Sequence, residues 1–215
     1  MRIYREKDYN AMSRRAATVI AAQVVSKPDC VLGLATGSTP VGAYKQLVEW
    51  YKQGDLSFAE VRSVNLDEYV GLAPDHDQSY RYFMQTNLFD HVDIRPENTN
   101  VPSGLAPDAR EECARYEQTV QELGYADLQL LGLGRNGHIG FNEPCGEFPV
   151  ATHLVDLTES TIEANARFFA SAGDVPRQAL TMGIGTIMKA RKILVVASGA
   201  DKADAVAKAF FGPIT

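Results

Sequence analysis

Cys30-Val31-Leu32-Gly33-Leu34-Ala35-Thr36-Gly37-Ser38-Thr39-Pro40 reads as a short apolar strand that runs into a glycine-bearing turn and then a proline at the head of a helix. A run of apolar residues without alternation predicts a strand buried on both faces, the habit of a parallel sheet. Pro40 opens a helical stretch that Gly54 closes. Similar apolar runs follow at Val61 to Leu66, Leu128 to Leu133 and Lys192 to Ala197. Residues 8–26, 107–124, 158–171 and 200–211 carry helical periodicity. This alternation predicts an α/β fold in which one doubly wound, mostly parallel, Rossmann-like sheet carries helices on both faces. No repeat, low-complexity tract or linker marks a boundary, so residues 1–215 are expected to form a single domain.

Residues 69–78 and 89–106 are rich in Pro, Asp, Asn and Gly and read as loops. Residues 134–149 carry glycines and two prolines where a crossover helix is expected. In open α/β sheets ligands bind at the carboxyl ends of strands, which is where these loops begin.

With 45% hydrophobic residues the chain can bury a sizeable core, which excludes wholesale disorder. A formal net charge of −6 leaves no basic field for nucleic acid or an anionic membrane surface, so an anionic ligand has to be captured locally. Cys30, Cys113 and Cys145 match neither a disulfide framework nor CxxC metal spacing, and a reducing cytoplasm fits best. No apolar stretch is long enough to span a bilayer, and the first eight residues are too polar for a signal peptide.

Thr36-Gly37-Ser38-Thr39-Pro40 joins a strand to a helix N-terminus, where unpaired N–H groups, a glycine and hydroxyls make a phosphate cradle. GxxxxGK[ST] is absent, so a sugar phosphate suits it better than a nucleotide triphosphate. The same residues also suit a plain helix cap. Asp67 and Glu68, at the end of the Val61–Leu66 strand, point to opposite sides. One of them can face the crevice as a lone base, or both can be solvated or capping acids.

The run Gly132-Leu133-Gly134-Arg135-Asn136-Gly137-His138-Ile139-Gly140-Phe141-Asn142-Glu143-Pro144 mimics a dinucleotide fingerprint, with Asp156 placed like a ribose acid. Pro144, Gly146 and Pro149 remove the long helix that such a site needs. What remains presents Asn136, His138 and Glu143 together, a titratable imidazole with a carboxylate and an amide in reach to orient it. His76, between two aspartates, reads as a solvated loop residue, and no metal is expected. On the residues alone, Arg167 and Lys202 read as surface cations.

Together these motifs resemble the glucosamine-6-phosphate deaminase (isomerase) family over essentially the whole chain: LGLATGSTP at 32–40, NLDEYVGL at 65–72, Ser79-Tyr80, FNEP at 141–144, NARFF at 165–169 and ALTMGIGT at 179–186. The resemblance implies an isomerising hydrolase that converts D-glucosamine 6-phosphate and water to D-fructose 6-phosphate and ammonia without metal or organic cofactor. By resemblance, Asp67 is the enolisation base and His138 the ring-opening base, supported by Asn136 and Glu143. Ser38, Thr39, Arg167 and Lys202 hold the phosphate, with Thr36 and Gly37 completing the turn. The implied partner is a small sugar phosphate, and the oligomeric state stays open. Some members carry an aspartate at Asn136. The basic residues that follow the NEP motif in allosterically activated members have no counterpart near His153 and Val155. Gly212-Pro213-Ile214-Thr215 stand where the family continues through a last apolar stretch.

Two rivals share features. A 6-phosphogluconolactonase has the fold, the turn and a GxxGH loop, but hydrolyses an ester and needs no base at C2, so NLDEY and FNEP speak against it. A non-catalytic sugar-phosphate sensor is expected to lack Asp67 or His138, or to carry a DNA-binding domain. A generic NAD-binding domain falls with the missing crossover helix.

Overall fold

The structure, a computed structural model, describes residues 1–166, 169, 171 and 174–213, without the side chains of residues 160, 164 and 165. Its principal elements are α1 (Tyr9–Ser26), β1 (Val31–Leu34), α2 (Val41–Lys52), β2 (Arg62–Asn65), β3 (Asp67–Tyr69), α3 (Tyr80–Asn87), β4 (Thr99–Asn100), α4 (Ala109–Glu122), β5 (Leu128–Leu131), β6 (His153–Asp156), α5 (Glu159–Ala166), β7 (Gln178–Thr181), α6 (Ile184–Ile187), β8 (Ile193–Val195) and α7 (Ala203–Phe211).

Five strands form a parallel sheet in the order β4-β2-β1-β5-β8, flanked by helices; the apolar runs predict β1, β2, β5 and β8, whereas the two-residue β4 lies in the stretch 89–106 read as a loop. All four residues of β1 and of β5 are buried. Helix α1 starts where Asp8 Oδ1 accepts a hydrogen bond from the Ala11 N–H at 2.8 Å, an N-cap that satisfies one of the orphan donors of the first turn. Its Ala16, Ala17, Ile20 and Val24 recur at three- and four-residue spacing and join Tyr44 and Leu47 of α2 in the main core with Leu32, Val64 and Leu130. From β1 the chain winds to β2 and β4 on one side, then crosses to β5 and β8 on the other. The strand order therefore reverses between β1 and β5, the switch point at whose carboxyl ends ligands bind in such sheets.

A second, antiparallel sheet in the order β3-β7-β6 is not visible in the sequence pattern. Its strands are three or four residues long, β3 opens on two acids of low strand propensity, and β6 is only half-buried, so tertiary pairing rather than alternation makes them strands. Only Leu66 separates β2 from β3, and there the chain leaves the parallel sheet. Tyr69, Phe141, Leu157, Ile162, Val175 and Ala179 form a separate small core with this sheet. Buried Glu117 of α4 ties the sheet to the main body: its carboxylate accepts from the Thr152 N–H (2.9 Å), Thr152 Oγ1 (2.8 Å) and Thr186 Oγ1 (2.6 Å).

Two further departures are local. Helix α3 lies between the two predicted loops and is capped by Ser79, whose hydroxyl accepts from the Tyr82 N–H at 3.0 Å. The helix expected over 158–171 is seen as α5 over Glu159–Ala166, and part of the remainder falls outside the described residues. No helix of the described residues is long and apolar enough to cross a membrane.

Candidate active site

Leu34 of β1 pairs with Asn65 of β2, so Thr36 and Asp67 each stand two residues beyond the same rung, at the carboxyl end of the sheet. The β3 geometry then separates the two acids. Glu68 accepts from the backbone N–H groups of Tyr69 and Tyr80 (both 2.9 Å) and Arg81 (3.0 Å), and so serves as a carboxylate cap on α3. Burial pushes its proton affinity up, and these bonds pull it back.

Asp67 has no such support. It is 6% exposed, and no hydrogen-bond donor among the described residues reaches its carboxylate. Burial, and then the neighbouring Glu68 charge, push its pKa up to about 8. Desolvation disfavours the anion, and a like charge adds to this. A carboxyl in this state is a strong base for its class, and its raised pKa is one mark of a functional site.

The glycine-rich loop after β5 contains no helix and closes on itself, with Ile139 and Asn142 forming an isolated bridge. This agrees with the reading against a dinucleotide site. The His138 ring packs on Gly134, where a Cβ would lie 2.5 Å from the imidazole carbons, so only glycine leaves room for it. His138 Nδ1 is buried without a hydrogen bond and lies 3.5 Å from Glu143 Oε2. Asn136 makes no hydrogen bond to the imidazole Nδ1. Its Oδ1 accepts from the His138 N–H at 3.2 Å and its Nδ2 donates to Glu143 Oε2, so it shapes the loop and holds the carboxylate. The other Glu143 oxygen accepts from Thr161 Oγ1 at 3.0 Å, a partner 18 residues away that no sequence signal indicates.

Contacts across the second sheet bring this loop to Asp67. The β3–β7 register sets Thr181 opposite Asp67, and Thr181 Oγ1 accepts from the Phe141 N–H at 3.1 Å. Asn142 Nδ2 donates to the carbonyls of Ile139 (3.0 Å) and Met182 (2.9 Å). Between them sits Gly140, at φ 61°. A Cβ there would lie 2.9 Å from Thr181 Oγ1 and 3.4 Å from Asp67 Oδ2. Glycine thus keeps open the space beside the Asp67 carboxylate.

At the β1 end, Gly37 and Ser38 are exposed, Thr36 and Thr39 half-buried, and Gly37 has φ 89°. Helix α2 follows with no side-chain cap on its N-cap residue; apart from the Gly42 N–H, which the Tyr9 hydroxyl takes at 2.9 Å, a helix start of this kind can offer its first N–H groups to an anion. Lys202 is half-buried at the end of a single 3₁₀ turn (Ala200–Lys202) beyond β8, and the neighbouring Asp201 pairs with Arg135 at 2.9 Å. Arg167 lies outside the described residues. His76 Nδ1 accepts from the Gln78 N–H at 3.1 Å. Among the described residues no group of three or more His, Cys, Asp or Glu could hold a metal ion. A broad groove between α4 and β6, lined by Arg110, Glu117, Gln121, His153 and Asp156, contains none of the candidate residues.

Comparisons with known proteins identify the family of the chain. The chain is 58% identical over all of its 215 residues to a glucosamine-6-phosphate deaminase of Lachnoclostridium phytofermentans, covering 91% of that protein, and 57% identical to one of Clostridioides difficile, covering 86%. A monomeric glucosamine-6-phosphate deaminase of solved structure superposes with a TM-score of 0.97 at 48% identity, over 100% of this chain and 89% of that one. The 6-phosphogluconolactonase from Leishmania guyanensis shares the fold, with a TM-score of 0.73 at 21% identity over 99% of this chain and 87% of that one. The family model of glucosamine-6-phosphate isomerases and 6-phosphogluconolactonase matches residues 5–213, and with the glycine-rich loop folded onto Asp67 rather than onto a crossover helix, the chain belongs to that family.

Proposed function

We propose that this chain converts D-glucosamine 6-phosphate and water to D-fructose 6-phosphate and ammonia. The 36–39 turn, the N–H groups at the start of α2 other than that of Gly42, Lys202 and Arg167 hold the phosphate, and this remote binding energy orients C1 and C2 at the other end of the sugar. His138 moves the proton of the anomeric hydroxyl to the ring oxygen and so opens the pyranose, while Glu143, fixed by Asn136 and Thr161, steadies the imidazolium.

Asp67 then takes the proton from C2, giving an enolamine, and returns a proton to C1, which leaves a C2 imine. Water adds at C2 and ammonia leaves, giving the ketose. One base serves both carbons because they are adjacent. A carboxyl with a pKa of about 8 is a better base than an ordinary one, and the substrate's C2 ammonium brings a positive charge that favours its ionised form.

The observation that carries this reading is Asp67 itself, a buried carboxyl with no described hydrogen-bond donor beside the gap at Gly140. Ester hydrolysis by a lactonase gives such a base no task at C2. The test is to incubate the protein with glucosamine 6-phosphate and measure ammonia and fructose 6-phosphate together, then to follow exchange of the C2 hydrogen with deuterated solvent. Equal release of both products, with exchange lost in Asp67→Asn, is the expected result. Ammonia without ketose, or undiminished exchange in the variant, overturns it.

A further inference from the structure

We propose that Tyr9, at the start of α1, is a positioning residue that sets the phosphate-binding turn. Its hydroxyl donates to the Ser38 carbonyl at 3.0 Å and accepts from the Gly42 N–H at 2.9 Å. One side chain from a helix about thirty residues away thus spans the end of the turn and the first residues of α2. A hydroxyl offers one donor and can accept, and Tyr9 uses both capacities on this single segment.

The geometry has a direct consequence for an anion at the turn. In a trans peptide the C=O of one residue and the N–H of the next point in opposite directions. Fixing the Ser38 carbonyl toward Tyr9 therefore turns the Thr39 N–H away from α1. Upstream, the buried Tyr44 hydroxyl grips Ala35 in the same manner, donating to its carbonyl at 2.6 Å and accepting from its N–H at 3.2 Å. The residues between these two tyrosines include Gly37, whose backbone is otherwise free to reorient.

The seat of Tyr9 is itself rigid. Helices α1 and α2 touch at Gly42, where a Cβ would lie 2.3 Å from Ser13 Oγ and 3.0 Å from Tyr9 Cε1. The residue is 38% exposed and both of its hydroxyl bonds are solvent-accessible, so its hydroxyl has water as an alternative partner, and its bonds to the turn act as geometry more than as fold stability. Pre-organising a binding segment lowers the ordering cost when the ligand arrives. Tyr9 is thereby a determinant of phosphate affinity that touches no substrate.

This inference rests on the reading of the 36–39 turn as the phosphate site, and Tyr9→Phe tests it because the ring and its packing stay. KM for glucosamine 6-phosphate and the inhibition constant of inorganic phosphate are measured for the unaltered enzyme, for Tyr9→Phe and for Lys202→Ala, together with kcat and the unfolding midpoint. Tyr9→Phe is expected to raise KM and the phosphate inhibition constant by the same factor, roughly three- to tenfold for loss of such neutral bonds, with kcat and the unfolding midpoint nearly unchanged. If Lys202→Ala weakens both constants and Tyr9→Phe neither, the Tyr9 role is overturned and the phosphate site stands. If neither variant moves them, the phosphate site falls and Tyr9 with it. A lowered unfolding midpoint or kcat without a change in KM makes Tyr9 a stability residue and overturns the role.

Discussion

Asp67→Asn is expected to stabilise the protein near pH 8 and to lose that advantage in acid. The folded carboxyl, raised by burial and then by Glu68, keeps its proton up to about pH 8, whereas an ordinary aspartate releases it near 3.8. Between those values the folded state binds one more proton than the unfolded state, so the stability this group contributes is complete at low pH and is lost as pH rises through the folded pKa. Each pH unit in that window costs about 1.36 kcal/mol of unfolding free energy. From about pH 5.5 to pH 8 the loss comes to ~3 kcal/mol, of the order of a quarter or more of a typical domain's stability.

Asparagine does not titrate, so it removes this pH dependence. Urea unfolding followed through Trp50, the single tryptophan, gives both stabilities across that range. The gap between Asp67→Asn and the unaltered protein should shift by ~3 kcal/mol in favour of the variant. A gap that stays constant over the range refutes the reasoning. Asp67 would then be charged throughout, with no raised proton affinity behind its role as a base.

His138→Gln should collapse net conversion of glucosamine 6-phosphate yet spare hydrogen exchange at C1 of fructose 6-phosphate in the presence of ammonia, since the open ketose needs no ring opening; equal loss of both places His138 in the C1–C2 transfer instead. Gly140→Ala, which puts a Cβ 2.9 Å from Thr181 Oγ1 at φ 61°, should cost ~1–2 kcal/mol and lower kcat more than KM, read by urea unfolding and steady-state kinetics. Burial works to raise the Glu117 pKa, but hydrogen bonds from Thr186 and Thr152 outweigh it and hold the carboxylate below its usual range, so its stabilisation is present at neutral pH and lost as pH falls. Glu117→Gln should accordingly cost ~1–3 kcal/mol at pH 7 and progressively less as pH falls below the ordinary glutamate value of 4.5, measured by urea unfolding across that range.

Most of the parallel strands and the helix-free glycine loop rest on local chemistry, and the sequence carries both, whereas the order of the strands comes from the tertiary structure. An apolar run without alternation means two buried faces in β1 and β5, and Pro144, Gly146 and Pro149 forbid a long helix regardless of surroundings. The second sheet is different. Asp67-Glu68-Tyr69 and His153-Leu154-Val155-Asp156 become strands because β7 passes between them, and nothing in either tetrad or triad alone demands it.

The candidate site divides along the same line. Sequence alone establishes that a carboxylate stands at the end of β2, that a histidine, an amide and a second carboxylate share the loop after β5, and that a glycine-hydroxyl turn opens α2, because each depends on residues within about ten positions of one another. Tertiary structure alone decides that Glu68 spends its charge on the N–H groups of α3 while Asp67 keeps none. It also decides that Thr161 fixes Glu143, that Thr181 and Gly140 bring the histidine loop beside Asp67, and that Tyr9 reaches the turn before α2. Those contacts join residues from 12 to 73 positions apart. A buried group's proton affinity depends on which partners folding brings to it and which it withholds, and the local sequence does not specify them.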